Sequence, residues 1–328
     1  MNDTTRPLAV GVTPLETRRE VILRLATRAE ELGYTAFFVA EGWGHDASVL
    51  LAEIAGRTRR IGIGTGVLNA WGRSPGTIAM LATSLAAASD GRFTLGLGAG
   101  SPQLAEGLHG VPFREPVERL GAVTRQVRGL LAGGRAAGVA GGSRPLRLAA
   151  TPAGGVPIAL AGLGPAAVRL CGEVGDAWFP FLLPVSGLKE RVRLLEEGAG
   201  IGDRDVPAIC PAVPSAVSAD PVATRRVAAW WVTFYLTSMG PLYARTLRGL
   251  GLGSAVDAVL DAARAGAEDL PASASGLVEE LTVGGGGAAA RAGLDRWYGA
   301  GATMPVVVLP PGRGVDELDH TLDVLRPT

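Results

Sequence analysis

The chain has 328 residues, of which 31 are basic and 31 acidic, so its formal net charge is zero, and 47% of its residues are hydrophobic against 19% charged. This composition excludes a disordered chain and a basic protein that coats nucleic acid. The longest apolar runs fall well short of the roughly 20 residues needed to cross a bilayer, and no signal-peptide pattern is present, so we expect a cytoplasmic protein without membrane or nucleic-acid partners.

Strand and helix patterns alternate along the chain. The predicted strands cover residues 8–12, 36–40, 61–67, 93–98, 156–161, 176–181, 208–213 and 304–309. Helical spacing of apolar residues predicts helices over 21–32, 49–54, 78–85, 120–131, 165–172, 188–197, 222–236 and 315–325. Asp46 is a candidate N-cap for the second helix and Ser74 for the third, with Pro75 in its first turn.

This alternation predicts an α/β fold with a parallel sheet, because strand, crossover helix and next strand return to the same side. Eight such units close naturally into a (β/α)8 TIM barrel. We therefore expect a single barrel domain over residues 1–328. Extra helical sequence between about residues 240 and 283 is not needed for the barrel, and it predicts a late helical insertion that covers the barrel mouth as a lid.

The chain holds two cysteines and three histidines. Cys171 and Cys210 lie far apart in apolar surroundings, which indicates buried thiols rather than a disulfide or a metal site. No two of the histidines lie close along the sequence, so no histidine-rich metal centre is expected. His45 follows a predicted strand, whereas His109 and His320 are interpreted as structural or exposed.

Three predicted strands end in glycine-rich segments, at residues 62–67, 96–101 and 161–165. In a (β/α)8 enzyme the reacting groups lie at the carboxyl ends of the strands. Missing side chains at these ends let a large planar or phosphorylated ligand approach the backbone. Glycine is abundant here, at 48 residues, which alone explains any single segment. Three such segments at successive strand ends favour a ligand site.

The segment from Gly162 to Ala167 also fits the Gly-x-Gly-x-x-Ala fingerprint of dinucleotide-binding folds. No acidic residue ends a following strand at the usual distance, and a barrel is not the doubly wound sheet that carries this fingerprint. A Rossmann fold is therefore not favoured. Backbone N–H groups at the start of the helix that Pro165 opens still form an anion site, and we expect a phosphate group there.

Several stretches, in this order, carry a family resemblance. They are residues 29–34 with 38–41, 55–67, 90–100, 156–165, 175–178 and 299–302. The sequence resembles the luciferase-like monooxygenase superfamily and, within it, the branch of oxidoreductases that use the deazaflavin coenzyme F420, similar to methylenetetrahydromethanopterin reductase. The likeness spans nearly the whole chain and is weakest from about residue 240 to 275.

The resemblance implies F420 as the cofactor and implies its contacts. Glu41 would lie near the deazaflavin ring. A non-proline cis peptide between Gly66 and Val67 would press on the back of the ring, a bond that persists only where its surroundings enforce it. Ala99 and Gly100 would contact the ring or the ribityl chain. The residues that would hold the phosphate are Ala161, Gly162, Leu163, Gly164 and Pro165.

Two positions depart from the family pattern. The histidine that commonly follows the strand-two acid is Gly42 here, with His45 three residues later, and the acid often found after the strand-four glycine is Ser101. Both changes remove proton-transfer groups of the sugar-phosphate dehydrogenase members, which argues against that substrate class. They leave hydride transfer possible, because the cofactor carries that chemistry.

His45 and Glu41 are the candidate catalytic residues. His45 is a candidate general acid beside the hydride acceptor, and its alternative is a surface histidine that flanks a helix. Glu41 is a candidate base, and its alternative is a structural carboxylate. Further candidate substrate contacts are Trp43, Asn69, Trp71, Ser101, Gln103, Phe179, Tyr235 and Tyr243. Their aromatic and neutral polar character suggests a neutral or conjugated organic substrate.

Three functions remain open from the sequence. The leading one is an F420-dependent oxidoreductase that transfers a hydride to or from a small organic molecule. The second is an FMN-dependent monooxygenase that works with a flavin reductase. The third is a barrel that binds a flavin or deazaflavin without turnover. The family habit implies a homodimer, and a flavin or F420 reductase would be an indirect partner.

Overall fold

A computed structural model describes residues 5–138, 140, 142–267 and 269–328. Its strands are β1 (Ala9–Val12), β2 (Ala36–Ala40), β3 (Gly62–Asn69), β4 (Phe93–Gly98), β5 (Ile158–Ala161), β6 (Ala177–Trp178), β7 (Ala208–Ile209), β8 (Ala212–Val217), β9 (Val283–Gly285) and β10 (Val306–Leu309). Its helices are α1 (Arg19–Glu31), α2 (Ala47–Arg57), α3 (Pro75–Ala88), α4 (Pro116–Leu131), α5 (Pro165–Val174), α6 (Leu188–Ile201), α7 (Pro221–Ser238), α8 (Leu242–Gly249), α9 (Gly253–Arg264), α10 (Ser275–Leu281), α11 (Gly287–Gly299) and α12 (Val315–Leu325).

The strands form one parallel sheet in the order β7-β6-β5-β4-β3-β2-β1-β10-β8-β9. Only Cys210 and Pro211 separate β7 from β8, although these two strands stand near opposite ends of that order. A parallel bridge from Phe181 to Ala212 joins the same two regions, so the sheet closes on itself. The predicted (β/α)8 barrel is confirmed.

Two aromatic side chains pack together in the interior of the barrel. Phe38 of β2 is buried and packs edge to face against Phe179, with ring centroids 4.9 Å apart. A Cβ on Gly64 would lie 2.6 Å from the Phe38 ring, so the absence of a side chain on β3 makes room for it. The outer face of the sheet packs against the helices through Leu, Ile and Val side chains, as in other parallel sheets covered on both sides.

Local sequence signals position the helices as predicted. The Asp46 carboxylate accepts a hydrogen bond from Ser48 N at 2.9 Å, and Ser74 Oγ accepts one from Thr77 N at 3.2 Å. The late helical insertion is present as α8, α9 and α10, between α7 and β9. From the sequence, β9, α11 and a π-helical turn over Gln103–Leu108 were not predicted, and the single strand predicted over residues 208–213 is instead two strands, β7 and β8.

Both cysteines are buried and unpaired, as expected. Burial raises the pKa of the Cys210 thiol to about 12 and also raises that of Cys171. These thiols are therefore poor nucleophiles. Among the described residues, no helix is both long and apolar enough to cross a membrane.

Helices α5 and α6 approach each other at glycine positions. A Cβ on Gly198 of α6 would overlap the carbonyl oxygen of Arg169, and one on Gly202 would overlap that of Glu173. Gly172 of α5 makes the reciprocal approach to the backbone of α6. Because backbone cannot yield as a flexible side chain can, these glycines fix the separation and register of the two helices.

We expect Gly198→Ala to lower the free energy of unfolding by about 1–3 kcal/mol, because the added methyl group must push α5 and α6 apart. Gly200→Ala is the matched control on the same helix, since a Cβ there meets no atom within 4 Å. The control should be neutral or stabilising by up to about 1 kcal/mol through helix propensity. Urea unfolding of both variants measures the difference, and equal effects would contradict the packing explanation.

Candidate functional site at the barrel mouth

All strands run in the same direction, so their carboxyl ends meet at one face of the barrel. The glycine-rich segments after β3, β4 and β5 lie at this face. Residues there are small and partly accessible, among them Gly66, Val67, Ala99, Gly162 and Gly164. We call this face the barrel mouth.

Strand β3 carries a bulge at the barrel mouth. Val39 pairs with Thr65 and Ala40 with Val67, which leaves Gly66 as the extra residue. A Cβ on Gly66 would lie 2.8 Å from the Ala40 nitrogen, so only glycine fits there. The resemblance also implied a cis peptide between Gly66 and Val67, and this expectation is wrong for the structure, because every described peptide bond is trans. The bulge accommodates Gly66 in the strand while the described peptide bonds stay trans.

Glu41 follows β2 and is held in a charge network. Arg73 donates from Nη1 to Oε1 of Glu41, from Nη2 to Oε2 at 2.9 Å, and from Nη2 to Asp46 at 2.7 Å. The Ala47 N–H donates to Oε2 of Glu41 at 3.0 Å. The side chains of Glu41 and Arg73 are only 7% and 15% exposed. This partly buried pair fixes the start of α2 against the end of β3, the structural role that the sequence left open for Glu41.

The same network shifts the pKa values of two of its members, Arg73 and Asp46. The hydrogen bond with Glu41 raises the pKa of Arg73 above its ordinary value. Burial by itself would raise the pKa of Asp46, but hydrogen bonds from Ser48 and Arg73 outweigh it and hold that pKa below its usual range. Arg73 and Asp46 therefore stay charged across the physiological pH range.

Asn69 and Trp71 organise the loop after β3. Asn69 Oδ1 accepts hydrogen bonds from Trp71 N at 3.0 Å and Gly72 N at 2.7 Å, and its Nδ2 lies 3.2 Å from His109 Nε2. Trp71 Nε1 donates to the Ala99 carbonyl at 2.7 Å. These two candidate substrate contacts are thus buried and engaged with the protein, where they join the ends of β3 and β4.

Other candidates lie on accessible loops. His45 is exposed, and its Nε2 lies 2.9 Å from the Thr17 carbonyl oxygen. Trp43 is 53% exposed. Ser101 Oγ accepts a hydrogen bond of 3.4 Å from Leu104 N, and Gln103 is exposed at the start of the π-helical turn.

The aromatic candidates cluster on the insertion side. Phe181 lies between Tyr235 and Tyr243, with ring centroids 4.8 Å and 6.2 Å away, and the two tyrosine rings are 5.4 Å apart. Burial raises the pKa of both tyrosines, so neither ionises at ordinary pH. Phe179 is buried against Phe38, which forms the floor beneath the barrel mouth. The structure thus brings Phe179, Tyr235 and Tyr243 into one apolar cluster.

The start of α5 offers an anion site. Gly164 is the N-cap, no side chain caps the helix, and Pro165 occupies the first turn. First-turn N–H groups have no partner within a helix and attract negative charge. A Cβ on Gly164 meets no atom within 4 Å, so the approach is open. Trp178 Nε1 donates to the Gly162 carbonyl at 2.8 Å and anchors the loop from behind.

Three residues near the barrel mouth were missed by the sequence analysis as parts of the site. Arg73 pairs with Glu41, His109 contacts Asn69, and Arg119 donates to the Ala70 carbonyl at 3.1 Å. Arg73 could have been found as the basic residue just before the Ser74 cap, on the loop that follows the strand next to that of Glu41. His109 and Arg119 reach the site through the π-helical turn and α4, which no sequence periodicity ties to the barrel mouth.

The fold and the barrel mouth together define a (β/α)8 protein with a ligand site built on glycine-rich strand ends. The chain belongs to the luciferase-like monooxygenase family, whose model matches residues 7–304. The resemblance drawn from the sequence is thereby confirmed.

Individual proteins are also similar to this chain, two of them in sequence and one in fold. A Mycobacterium tuberculosis protein, provisionally named a coenzyme F420-dependent oxidoreductase, is 28% identical over 94% of this chain and 95% of its own length. The F420-dependent glucose-6-phosphate dehydrogenase of Mycobacterium avium is 30% identical over 61% of this chain and 65% of its own. The F420-dependent tetrahydromethanopterin reductase of Methanopyrus kandleri superposes with a TM-score of 0.80 at 18% identity, covering 96% of this chain and 97% of that one. That last likeness supports the fold.

We expect Arg73→Met to lower the free energy of unfolding by about 3 kcal/mol, because it leaves the Glu41 carboxylate buried without its cation. The double variant Glu41→Met with Arg73→Met should recover most of this loss, since no uncompensated charge remains. Arg114→Met, an exposed arginine, is the control and should change stability by less than about 0.5 kcal/mol. If the double variant is no more stable than Arg73→Met, the ion pair is not the cause.

Proposed function

We propose that this protein is a coenzyme F420-dependent oxidoreductase that transfers a hydride between C5 of the deazaflavin and a small organic substrate. The observation that carries the proposal is the uncapped start of α5, opening onto a barrel mouth whose strand ends are glycine and alanine. The family membership and the F420-dependent names of the relatives support it.

The residues at the barrel mouth fit such a cofactor. Gly162, Leu163 and Gly164, together with the first N–H groups of α5 after Pro165, would hold its phosphate by backbone donation, and the space beside Gly164 is open. The bulge at Gly66 and Val67, with Ala99 and Gly100 on the next strand, would lie along the ring and ribityl chain without side chains in the way. When bound, the deazaflavin supplies the hydride acceptor or donor, and the protein's part is to hold and orient it.

The chain's own side chains would position the substrate and exclude water. Glu41, paired with Arg73, holds the loop after β2 and serves as a positioning residue. The insertion approaches the barrel mouth, since a Cβ on Gly240 would lie 3.9 Å from Oε1 of Gln103. Residues 240–283 would therefore act as the lid of a single barrel domain, and Tyr235 and Tyr243 would supply its apolar underside.

His45 remains the candidate proton donor. Its Nε2 faces a carbonyl oxygen, which only accepts hydrogen bonds, so Nε2 carries a proton and Nδ1 is the atom free to exchange one. A proton held there would serve the atom next to the hydride acceptor. Trp43, on the loop after β2, and Ser101 and Gln103, after β4, would contact the substrate. A neutral or conjugated molecule fits these groups, and the cytoplasm is the expected location.

Titration of the purified protein with F420, and separately with FMN, tests the class, with quenching of tryptophan fluorescence as the signal. Trp178 donates to the phosphate loop and is a natural reporter. We expect tight F420 binding and weak FMN binding, followed by substrate turnover with reduced F420. Tight FMN binding alone would instead favour an oxygen-using monooxygenase with a reductase partner. Binding without any turnover would favour a non-catalytic barrel.

Gly164→Glu should weaken F420 binding at least about tenfold, equivalent to about 1.4 kcal/mol, because a bulky anion would occupy the phosphate position. Gly164 has an extended backbone with φ −71°, so the substitution itself is not strained. Gly154→Glu is the control, since a Cβ there is also free of contacts and the residue precedes β5 at the opposite end of the barrel. Unchanged affinity in Gly164→Glu would place the phosphate elsewhere.

A further inference from the structure

Arg191 on α6 is a buried arginine with no hydrogen-bonded carboxylate among the described residues. The residue is 6% exposed, and its Nε has no hydrogen-bond partner. Within the part of the chain that the structure describes, its one contact with a carboxylate is a 3.6 Å approach of Nη1 to Oε1 of Glu190, a side chain that is itself 63% exposed. That distance is too long for a hydrogen bond. One of the five donors of the guanidinium is thus taken out of water without a replacement partner.

The packing of α5 and α6 shows where Arg191 lies. Gly198 touches the backbone of Arg169, and four residues later Gly202 touches that of Glu173, so the two helices run parallel and in step. Arg191 precedes Gly198 by two helical turns on the same face of α6. The same register places it level with the loop that leads into α5.

The direction of the side chain brings the guanidinium closer to that loop. Side chains on a helix lean toward its N-terminus, and an arginine is long enough to extend by about another turn. This geometry would aim Arg191 past the body of α5 toward the loop of Gly162 and Gly164 and the uncapped N–H groups at the start of α5.

Two sources of positive charge would then meet at the start of α5. The start of α5 carries the partial positive charge of the helix dipole, and Arg191 adds a full charge in a poorly solvated position. Without an anion this arrangement is unfavourable, because a buried charge is normally paired. A phosphate group would pair with both positive groups, since its oxygens accept hydrogen bonds from backbone N–H groups and from the guanidinium at the same time.

We propose that Arg191 is a phosphate-binding residue, which completes the anion site at the start of α5 from the neighbouring helix. The proposal rests on the proposed function in that it names a ligand for the phosphate of the cofactor. The proposed contact is with the phosphate only. Loss of Arg191 should therefore weaken binding of the phosphorylated tail and leave binding of the ring unchanged.

The test compares F420 with its phosphate-free deazaflavin chromophore, using fluorescence quenching to measure both dissociation constants. In Arg191→Met we expect the dissociation constant for F420 to rise at least about tenfold, and that for the phosphate-free chromophore to change by less than about twofold. Arg193→Met is the matched control, because Arg193 is exposed on the same helix, and it should bind both ligands like the parent protein. An equal loss for both ligands, or no loss for F420, would overturn the proposal.

Arg191→Lys is a second variant that keeps the charge but not the planar guanidinium group. Its dissociation constant for F420 should lie between those of Arg191→Met and the parent protein. The Met variant should fold, because an apolar side chain of similar size in place of an unpaired buried charge is tolerated.

If the parent protein binds no F420, the proposed function fails. The role of Arg191 is then tested with inorganic phosphate as the ligand. Phosphate should raise the melting temperature of the parent and of Arg193→Met but not of Arg191→Met. An equal rise in all three proteins would overturn the anion site at Arg191.

Discussion

Backbone contact at glycine positions is the constraint on which both the barrel and its mouth depend. Gly64 leaves the space that Phe38 fills inside the barrel, and Gly66 lets the β3 bulge lie against Ala40. Gly198 sets the distance between α5 and α6. Many other glycines, such as Gly200, meet no atom where a Cβ would be, so the glycine-rich composition alone does not mark these positions. What distinguishes them is the neighbouring backbone, which cannot move aside.

The charges around the barrel mouth are arranged unevenly. On the side of β2 and β3, one cation, Arg73, faces two carboxylates, Glu41 and Asp46, so this cluster carries a net negative charge. On the side of β5 and β6, the start of α5 is uncapped. In the proposed function an anionic group would therefore be drawn to the α5 side, and an uncharged ring would fit the other glycine-rich strand ends. This uneven charge would orient a ligand that has both parts before any specific contact with the ring is made.

Short-range signals account for what could be predicted from the sequence. The caps at Asp46 and Ser74 depend on neighbours within a few residues and were predicted correctly, as were the ends of β1, β2, β4, β5 and β10. The strand predicted over residues 61–67 continues to Asn69, and the one predicted over 176–181 ends at Trp178. The pairing of Arg73 with Glu41 depends on residues brought together by the barrel, and no periodicity reveals it. Arg191 lies at helical spacing from Leu188 and Leu195 on the buried face of α6, but a charged residue in such a pattern is not expected to be buried. Helix α11 was missed because the glycine run at 284–287 obscures its start, although the alanines that follow are strong helix formers.

The loop after β2 also explains one departure from the family pattern. The resemblance implies a histidine where this chain has Gly42, and a Cβ on Gly42 would lie 2.7 Å from Cβ of Pro14. The loop after β1 thus occupies the space that the histidine side chain would need, and the proline ring is rigid. Restoring the histidine alone would force the two loops apart. The departure is therefore built into the packing of the barrel mouth, and any proton donor on this side must come from a residue further along the loop, where His45 stands.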